Sequence, residues 1–434
     1  MPSLQDRLRR LRASTGVIPS STPPVEPAAG AGQAQPPPSL AERIRHLSPA
    51  RAGTPGPREP APEALADHLG AVILAPGVLR LERERPLRQR HGRIQPAGCL
   101  DTLAELTAGV DEPPSDPAGW TFLDTETSGL AGGTGTWAFV SGFARIEGER
   151  LVIRQYLLTR LDAEPVYMAA IADELAAATL LLSYNGKTFD LPLLATRLQL
   201  AAPERLRDAL PEERPHLDLL HPVRRAFAGR WPDCRLGSCE QRLLGLTRAD
   251  DLPGAEAPAA WLDWLRHGDG RRLGAVLRHN RIDLVSLAAL IPVLAAVQAD
   301  PAAHDADAAA IARHLLRAGR PERARAVLEG AGPGLEAGAA LLLAALHRRA
   351  GDWPAAVALW QRLAEQGHAA AAEQLAKYHE HVTGDLRRAL SYAERLPPRP
   401  EHEHRRRRLA ARLAVAGADL LSGLGDRGAA APSD

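Results

Sequence analysis

The chain has 434 residues, 45% hydrophobic and 24% charged, which allows two or three domains at roughly 150 residues each. Its 53 Lys and Arg against 52 Asp and Glu leave a formal charge of +1, which excludes a globally basic nucleic-acid glue but not a local basic groove. Three cysteines (Cys99, Cys234 and Cys239) form no CxxC pair or zinc spacing, no apolar run approaches the ~20 residues of a membrane span, and MPSLQDRLRR lacks the apolar core of a signal peptide, so a cytoplasmic protein with no membrane partner is expected.

Residues 1–60 are rich in Pro, Ala, Gly and Ser and cannot bury a core, which predicts a disordered basic tail. Inside it Ser3–Leu11 resembles Ser39–Leu47: each has a Ser at an N-cap position, an acid three residues on, and apolar residues at helical spacing. Eight Arg against four acids give this tail +4. Tethered basic helices and a solvated tail with transient helices both fit, and composition favours the second. Residues 61–115 read as a connector holding one hairpin, AVILAPGVLRLERERPL, that turns at Pro76-Gly77.

From 116 to 298 the pattern is that of a catalytic domain. Three strand-like stretches, WTFLDTET, TWAFVSGFARI and RLVIRQYLL, follow at meander spacing. A helix is predicted from Tyr167 to Ala178, then a buried strand in TLLLSYNG and a helix in FDLPLLATRLQL. HLDLLHPVRRAF reads as a strand entering a helix, and Leu273 to Ala296 as one amphipathic helix. Three antiparallel strands followed by alternating helices and strands predict an α/β fold, a mixed sheet flanked by helices. From 301 to 420 the chain turns to Ala/Leu/Arg helices with a repeat: Gly319-Arg320-Pro321 aligns with Gly351-Asp352-Trp353 and Gly384-Asp385-Leu386 at steps of 32 and 33 residues. These steps are close to the ~34 of a tetratricopeptide unit, so an all-α helical-hairpin array is expected, either a protein-binding surface or a structural cap. Residues 421–434 read as a flexible tail.

Four carboxylates carry the chemistry. Asp124 and Glu126 end an apolar strand two positions apart, so they share a face of the sheet. There they repel unless a cation lies between them or one takes up a proton. The Gly-rich SGLAGGTGTW that follows lets backbone approach a bulky ligand. In Asn185-Gly186-Lys187-Thr188-Phe189-Asp190 a strand ends, Asn-Gly turns the chain, and Asp190 opens a helix, a position where an acid also stabilises the helix N-terminus. In His279-Asn280-Arg281-Ile282-Asp283 the His and the Asp stand four apart on one helical face, with Leu277, Leu284 and Leu287 on the apolar side.

In this order the three motifs resemble the DEDD exonucleases, and the wording TFLDTETSGLAGGTGTWAF, SYNGKTFDLPLL, RLGSCEQRLLG and LRHNRIDLVSL is similar to the YprB-type ribonuclease H-like proteins. The resemblance covers about Trp120 to Ala296, and the helical-repeat tail fits that group too. It implies a ribonuclease H-like fold and two-metal phosphodiester cleavage from a 3′ end of single-stranded DNA or RNA. It assigns Asp124 to bridge two ions, Mg²⁺ or Mn²⁺ by the all-oxygen chemistry, Glu126 and Asp283 to complete one site, and Asp190 to reach the second through water. His279 stands at the spacing where the tyrosine-type branch carries Tyr. It would either act as general base, as a histidine near neutral pH can, or orient the water. Asn185, Lys187, Thr127 and Phe189 are candidate substrate contacts. Asp218 is a candidate support for the site or for the turn that follows it. Arg224 and Arg225 are candidates to grip the backbone, with plain exposed arginines the favoured reading, and Trp137 and Phe139 candidates to stack on a terminal base, with the core the favoured reading for strand residues. A weakly active nucleic-acid-binding or scaffolding protein, working through its repeats, is the alternative reading.

Overall fold

The computed structural model describes residues 62–107, 116–129, 134–249 and 251–425. The two paired segments of the N-terminal tail, the Gly-rich 130–133 and the last nine residues lie outside the described residues.

Helix α1 (Pro62–Leu69) leads into strands β1 (Val72–Ala75) and β2 (Val78–Pro86), and α2 (Cys99–Leu106) follows. The turn between β1 and β2 falls at Pro76-Gly77, where Gly77 has φ 87°, a left-handed backbone that glycine adopts without a Cβ clash. Strands β3 (Trp120–Thr127), β4 (Ala138–Glu147) and β5 (Arg150–Leu158) form an antiparallel meander. Next come α3 (Glu164–Ala176), β6 (Leu180–Ser183), α4 (Asp190–Ala201), α5 (Leu206–Ala209), β7 (His216–Asp218) and α6 (Leu220–Phe227). The seven strands make one mixed sheet in the order β1-β2-β5-β4-β3-β6-β7, with β6 and β7 parallel to β3.

The hairpin is therefore no part of a connector. All nine residues of β2 pair with β5, from Val78 opposite Leu158 to Pro86 opposite Arg150. The alternation along β2 was legible. Its partner, some seventy residues on, is fixed only by which apolar face each strand must bury.

Period-2 alternation splits the core into two layers. Phe122, Leu180 and Leu182 point to one face of the sheet, and Leu123, Leu181 and Phe143 to the other. After α7 (Leu236–Cys239) and α8 (Ala257–His267), the 27-residue helix α9 (Leu273–Ala299) joins both layers. Its Leu273, Val276 and Leu277 lie in the second layer, and its residues from Leu284 on lie in the first. The polar stretch His279–Asp283 sits where the helix passes from one to the other. By length and composition α9 is apolar enough to cross a membrane, which corrects the expectation that no run approaches that length; most of it is buried inside the fold.

The C-terminal helices are α10 (Ala308–Arg317), α11 (Pro321–Gly330), α12 (Ala337–Arg349), α13 (Trp353–Glu365), α14 (Ala369–His381), α15 (Leu386–Glu394) and α16 (Pro400–Gly425). They form successive hairpins, and Gly319, Gly351 and Gly384 stand at equivalent turns with φ between 70° and 80°. The carboxylates of Asp352 and Asp385 cap the helices that follow, accepting from Ala355 N at 3.2 Å and Arg388 N at 2.9 Å. The aligned alanines Ala324, Ala356 and Ala389 are fully buried, letting paired helices approach closely. The first hairpins share a core with the sheet, since Ile311, Leu315, Ala324 and Leu343 pack with residues of α6 and α9. Helix α16 runs on to Gly425, into the stretch expected to be a flexible tail.

Candidate active site

Asp124 and Glu126 lie near the end of β3, between β4 and β6, on the face that Phe122 shares with α9. The fully buried Asn280 on α9 holds Asp124: its Nδ2 donates to the carboxylate at 2.7 Å and to the backbone oxygen at 3.1 Å. The amide is fixed in turn by Gln155 on β5, whose Nε2 donates to Asn280 Oδ1 and to Leu277 O, both at 2.7 Å. Gly142, on β4, pairs with Asp124 on β3, and a Cβ there would collide with Asn280 Oδ1. Gly142→Ala is therefore expected to cost about 1–3 kcal/mol of stability, as overpacking does. Denaturant unfolding would check it; an unchanged midpoint would show that Asn280 can yield.

Asp190 is 5% exposed and opens α4. The turn that delivers it needs Asn185 at φ 67°, a left-handed backbone asparagine tolerates better than most residues. Asp218, at the end of β7, holds this turn: its carboxylate accepts from Asn185 N at 2.8 Å, Lys187 N at 3.1 Å and Leu220 N at 3.1 Å. Asp190 itself accepts from Thr125 Oγ1 at 2.5 Å, so β3 and α4 are stitched at the site.

Asp283, on α9, is met by Arg248, whose Nη2 donates to Asp283 Oδ1. The same guanidinium forks onto Glu240, Nε to Oε2 at 2.7 Å and Nη2 to Oε1 at 2.5 Å, and reaches Asp251 Oδ2 from Nη1 at 3.1 Å. Glu240 opens a π-helical turn, Glu240–Leu244, an irregularity often found at functional sites. It also accepts from Ser286 Oγ at 2.5 Å, and Ser286 lies 2.8 Å from His91 Nε2. His279 Nδ1 is 2.7 Å from Asp251 Oδ2, and its Nε2 is 3.7 Å from Asp283 Oδ2. A cavity of about 270 Å³ opens beside this network, walled by Leu236, Leu246, Arg248, Asp251, His279 and Asp283 among others.

The electrostatics follow from burial and crowding. Burial drives the carboxyls of Asp124 and Glu126 well above the usual range, and the charges of Asp283 and Asp190 push them further. Burial lifts Asp190 to about 6, against the opposing pull of its Thr125 hydrogen bond. Asp283 is also raised by burial, although Arg248 and His279 draw it down. Burial opposes the charge on Arg248, but Glu240 and Asp283 outweigh it and its pKa rises.

Among the described residues no three His, Cys, Asp or Glu side chains stand together as a ready ion-holding group. The donor chemistry of the four carboxylates nevertheless fits a hard divalent cation. All ligands are anionic oxygens, the charges of Asp283 and Asp190 push Asp124 and Glu126 up, and a positive charge among them would relieve that crowding.

The other sequence candidates are placed as follows. Thr127 is buried and its hydroxyl donates to Gly129 O at 3.0 Å, closing the turn after β3. Asn185 is exposed, its Oδ1 accepting from Thr188 at 2.6 Å. Lys187 is exposed and Phe189 half-buried. Burial, and then the charge of Lys187, lower His216 to about 4. Phe139 is a core residue, as its place in a strand favours, fully buried and stacked on Trp261 at 4.9 Å, while Trp137 carries the guanidinium of Arg197 at 3.9 Å. Arg248 was not singled out from sequence, and Glu240, Asp251 and Asn280 stood only inside motifs that carry the family resemblance, with no role of their own.

A family model described as the RNase H superfamily matches residues 121–295. The uncharacterized protein YprB of Bacillus subtilis (strain 168) is 31% identical over 335 residues, which cover 72% of this chain and 78% of that protein.

Proposed function

Because the chain belongs to the RNase H superfamily and shares most of its length with YprB, we propose that it is a metal-dependent 3′→5′ exonuclease acting on the ends of single-stranded nucleic acid. The observation that carries this is the convergence of four carboxylates, three of them buried, from the end of β3, the start of α4 and the middle of α9, joined by the Thr125–Asp190 and Asn280–Asp124 hydrogen bonds. Asp124, Glu126, Asp190 and Asp283 would together hold two divalent ions. Bound there, Mg²⁺ or Mn²⁺ would supply Lewis acidity, a more acidic water and charge relief at the departing oxygen.

The chain's own groups prepare that chemistry. Asn280 fixes the rotamer of Asp124, and Thr125 that of Asp190. Asp251 lies closer to His279 Nδ1 than Arg248 does, 2.7 Å against 3.2 Å. With Nδ1–H assigned as donor to Asp251, Nε2 is left as a free acceptor beside Asp283, where it takes a proton from an attacking water or orients it. The cavity at this edge offers room for a terminal residue of the strand.

Single-stranded DNA and RNA, labelled at the 5′ end in one set and the 3′ end in another, test the reading with Mn²⁺, Mg²⁺ or chelator. The expected result is a metal-dependent ladder from 5′ label and immediate release of mononucleotide from 3′ label. Ladders of the opposite polarity, or none with folded protein, would remove it. The hold of Arg248 on Asp283 favours a second reading, a nucleic-acid-binding protein of low turnover, and a ladder many-fold slower than strand binding would support that one.

A further inference from the structure

Far along the chain from the carboxylates, the C-terminal helices carry the opposite imbalance. Glu380, on α14, is 4% exposed and is surrounded by three guanidiniums from α16. Arg405 Nη1 is 2.8 Å from Oε2, Arg408 Nη2 is 2.6 Å from Oε1, and Arg412 Nη1 is 3.4 Å from Oε1. These three arginines are spaced i, i+3 and i+7, so they share one face of the helix. One carboxylate balances one guanidinium, and the remaining positive charge is forced together at the surface. Arg405 is mostly covered, whereas the side chains of Arg408 and Arg412 are 42% and 51% exposed. The surrounding segment deepens the excess: between Leu386 and Arg412 there are nine Arg against three acids, Glu394, Glu401 and Glu403.

Crowded guanidiniums that are half open to solvent are stabilised by an added anion, and phosphate oxygens match their fork geometry. We propose that the face of α16 bearing Arg408 and Arg412 is a docking surface for the phosphate backbone of single-stranded nucleic acid. The choice of nucleic acid over other polyanions rests on the nuclease reading above; the charge imbalance does not. Glu380 acts here as a scaffold, ordering the arginines without neutralising them.

The test is fluorescence anisotropy of the full chain with long poly-U and poly-dT oligonucleotides, in chelator so that nothing is cleaved, across a salt series. Arg408→Gln/Arg412→Gln, both at exposed positions, is compared with Arg348→Gln/Arg349→Gln, which removes the same charge from the exposed end of α12. The first pair is expected to weaken binding about tenfold and to flatten the log–log salt slope by roughly 1.4, at ~0.7 for each single-strand phosphate no longer neutralised. The second pair is expected to leave both unchanged. Equal effects from both pairs, or none from the first in a protein whose circular dichroism is unaltered, would overturn the surface. So would recruitment to phosphatidylserine vesicles in place of either oligonucleotide. The ladder assay with Asp124→Asn separates the two ideas: loss of cleavage in Asp124→Asn together with unchanged binding by Arg408→Gln/Arg412→Gln leaves the active site standing and this surface refuted, and the reverse pattern does the opposite.

Discussion

Asp124→Asn is expected to cut nucleotide release by about 10²–10³-fold or more, the scale of removing one strong electrostatic interaction at a reacting centre. The same substitution is expected to make the metal-free protein more stable, by about 0.5–2 kcal/mol, the usual gain when a strained functional site is relaxed. The reason is visible in the charges. Asp124 is pressed by burial and by three neighbouring carboxylates, and an amide in place of its carboxylate could still accept from Asn280 while carrying no charge. Thermal melts in chelator and in Mn²⁺ would read both halves, with metal raising the wild-type melting temperature more than the variant's. A variant that keeps its ladder, or melts lower in chelator, would contradict the assignment. Asp190 adds a pH signature of definite sign. Its folded pKa of about 6 lies above the ordinary carboxyl value of 3.8, so the folded state resists its ionisation. In chelator its contribution should fall as pH rises from about 4 to 6, and Asp190→Asn should flatten that slope.

Arg248→Met is expected to act in the opposite direction on stability although it also removes a single charge. Glu240 is nearly inaccessible, and Asp283 and Asp251 share the same guanidinium, so losing it strands several carboxylates in a buried setting. Breaking such a pair from one side costs about 3–5 kcal/mol. Denaturant unfolding in chelator would measure the loss. Divalent metal should recover more of it in Arg248→Met than it adds to the wild type, since the ion enters a cluster that has lost its own cation. Arg248→Met/Glu240→Gln should restore part of the stability without metal. If Arg248→Met were neutral in chelator, the guanidinium would be no counter-charge to the carboxylates.

Much of this arrangement was legible in the sequence because it is written locally. A strand ending in two acids, an Asn-Gly turn before an Asp, and a His four residues ahead of an Asp each place a carboxylate through the period of one element. The repeat was legible for the same reason, since Gly319, Gly351 and Gly384 mark turns where the backbone turns left-handed. What escaped was non-local. Helix α1 is only eight residues long, and the partner of β2 lies beyond two further strands. Arg248 carried no signal in a chain where all but two of 53 basic residues are arginine. Its role is set by Glu240 on an irregular turn and by Asp283 on a helix thirty-five residues away, a meeting that only tertiary packing creates.

The burial of α9 has a consequence for how the protein is made. A helix buried for most of its length is, before its covering arrives, a long apolar segment in water. During synthesis the sheet strands emerge first, but the helices from α10 to α12 that complete the same core follow later. At ~5–20 residues per second the ribosome leaves α9 incompletely covered for a few seconds. In that interval a nascent chain presents a surface suited to chaperones or to aggregation, and chains stalled just after α9 would present it indefinitely.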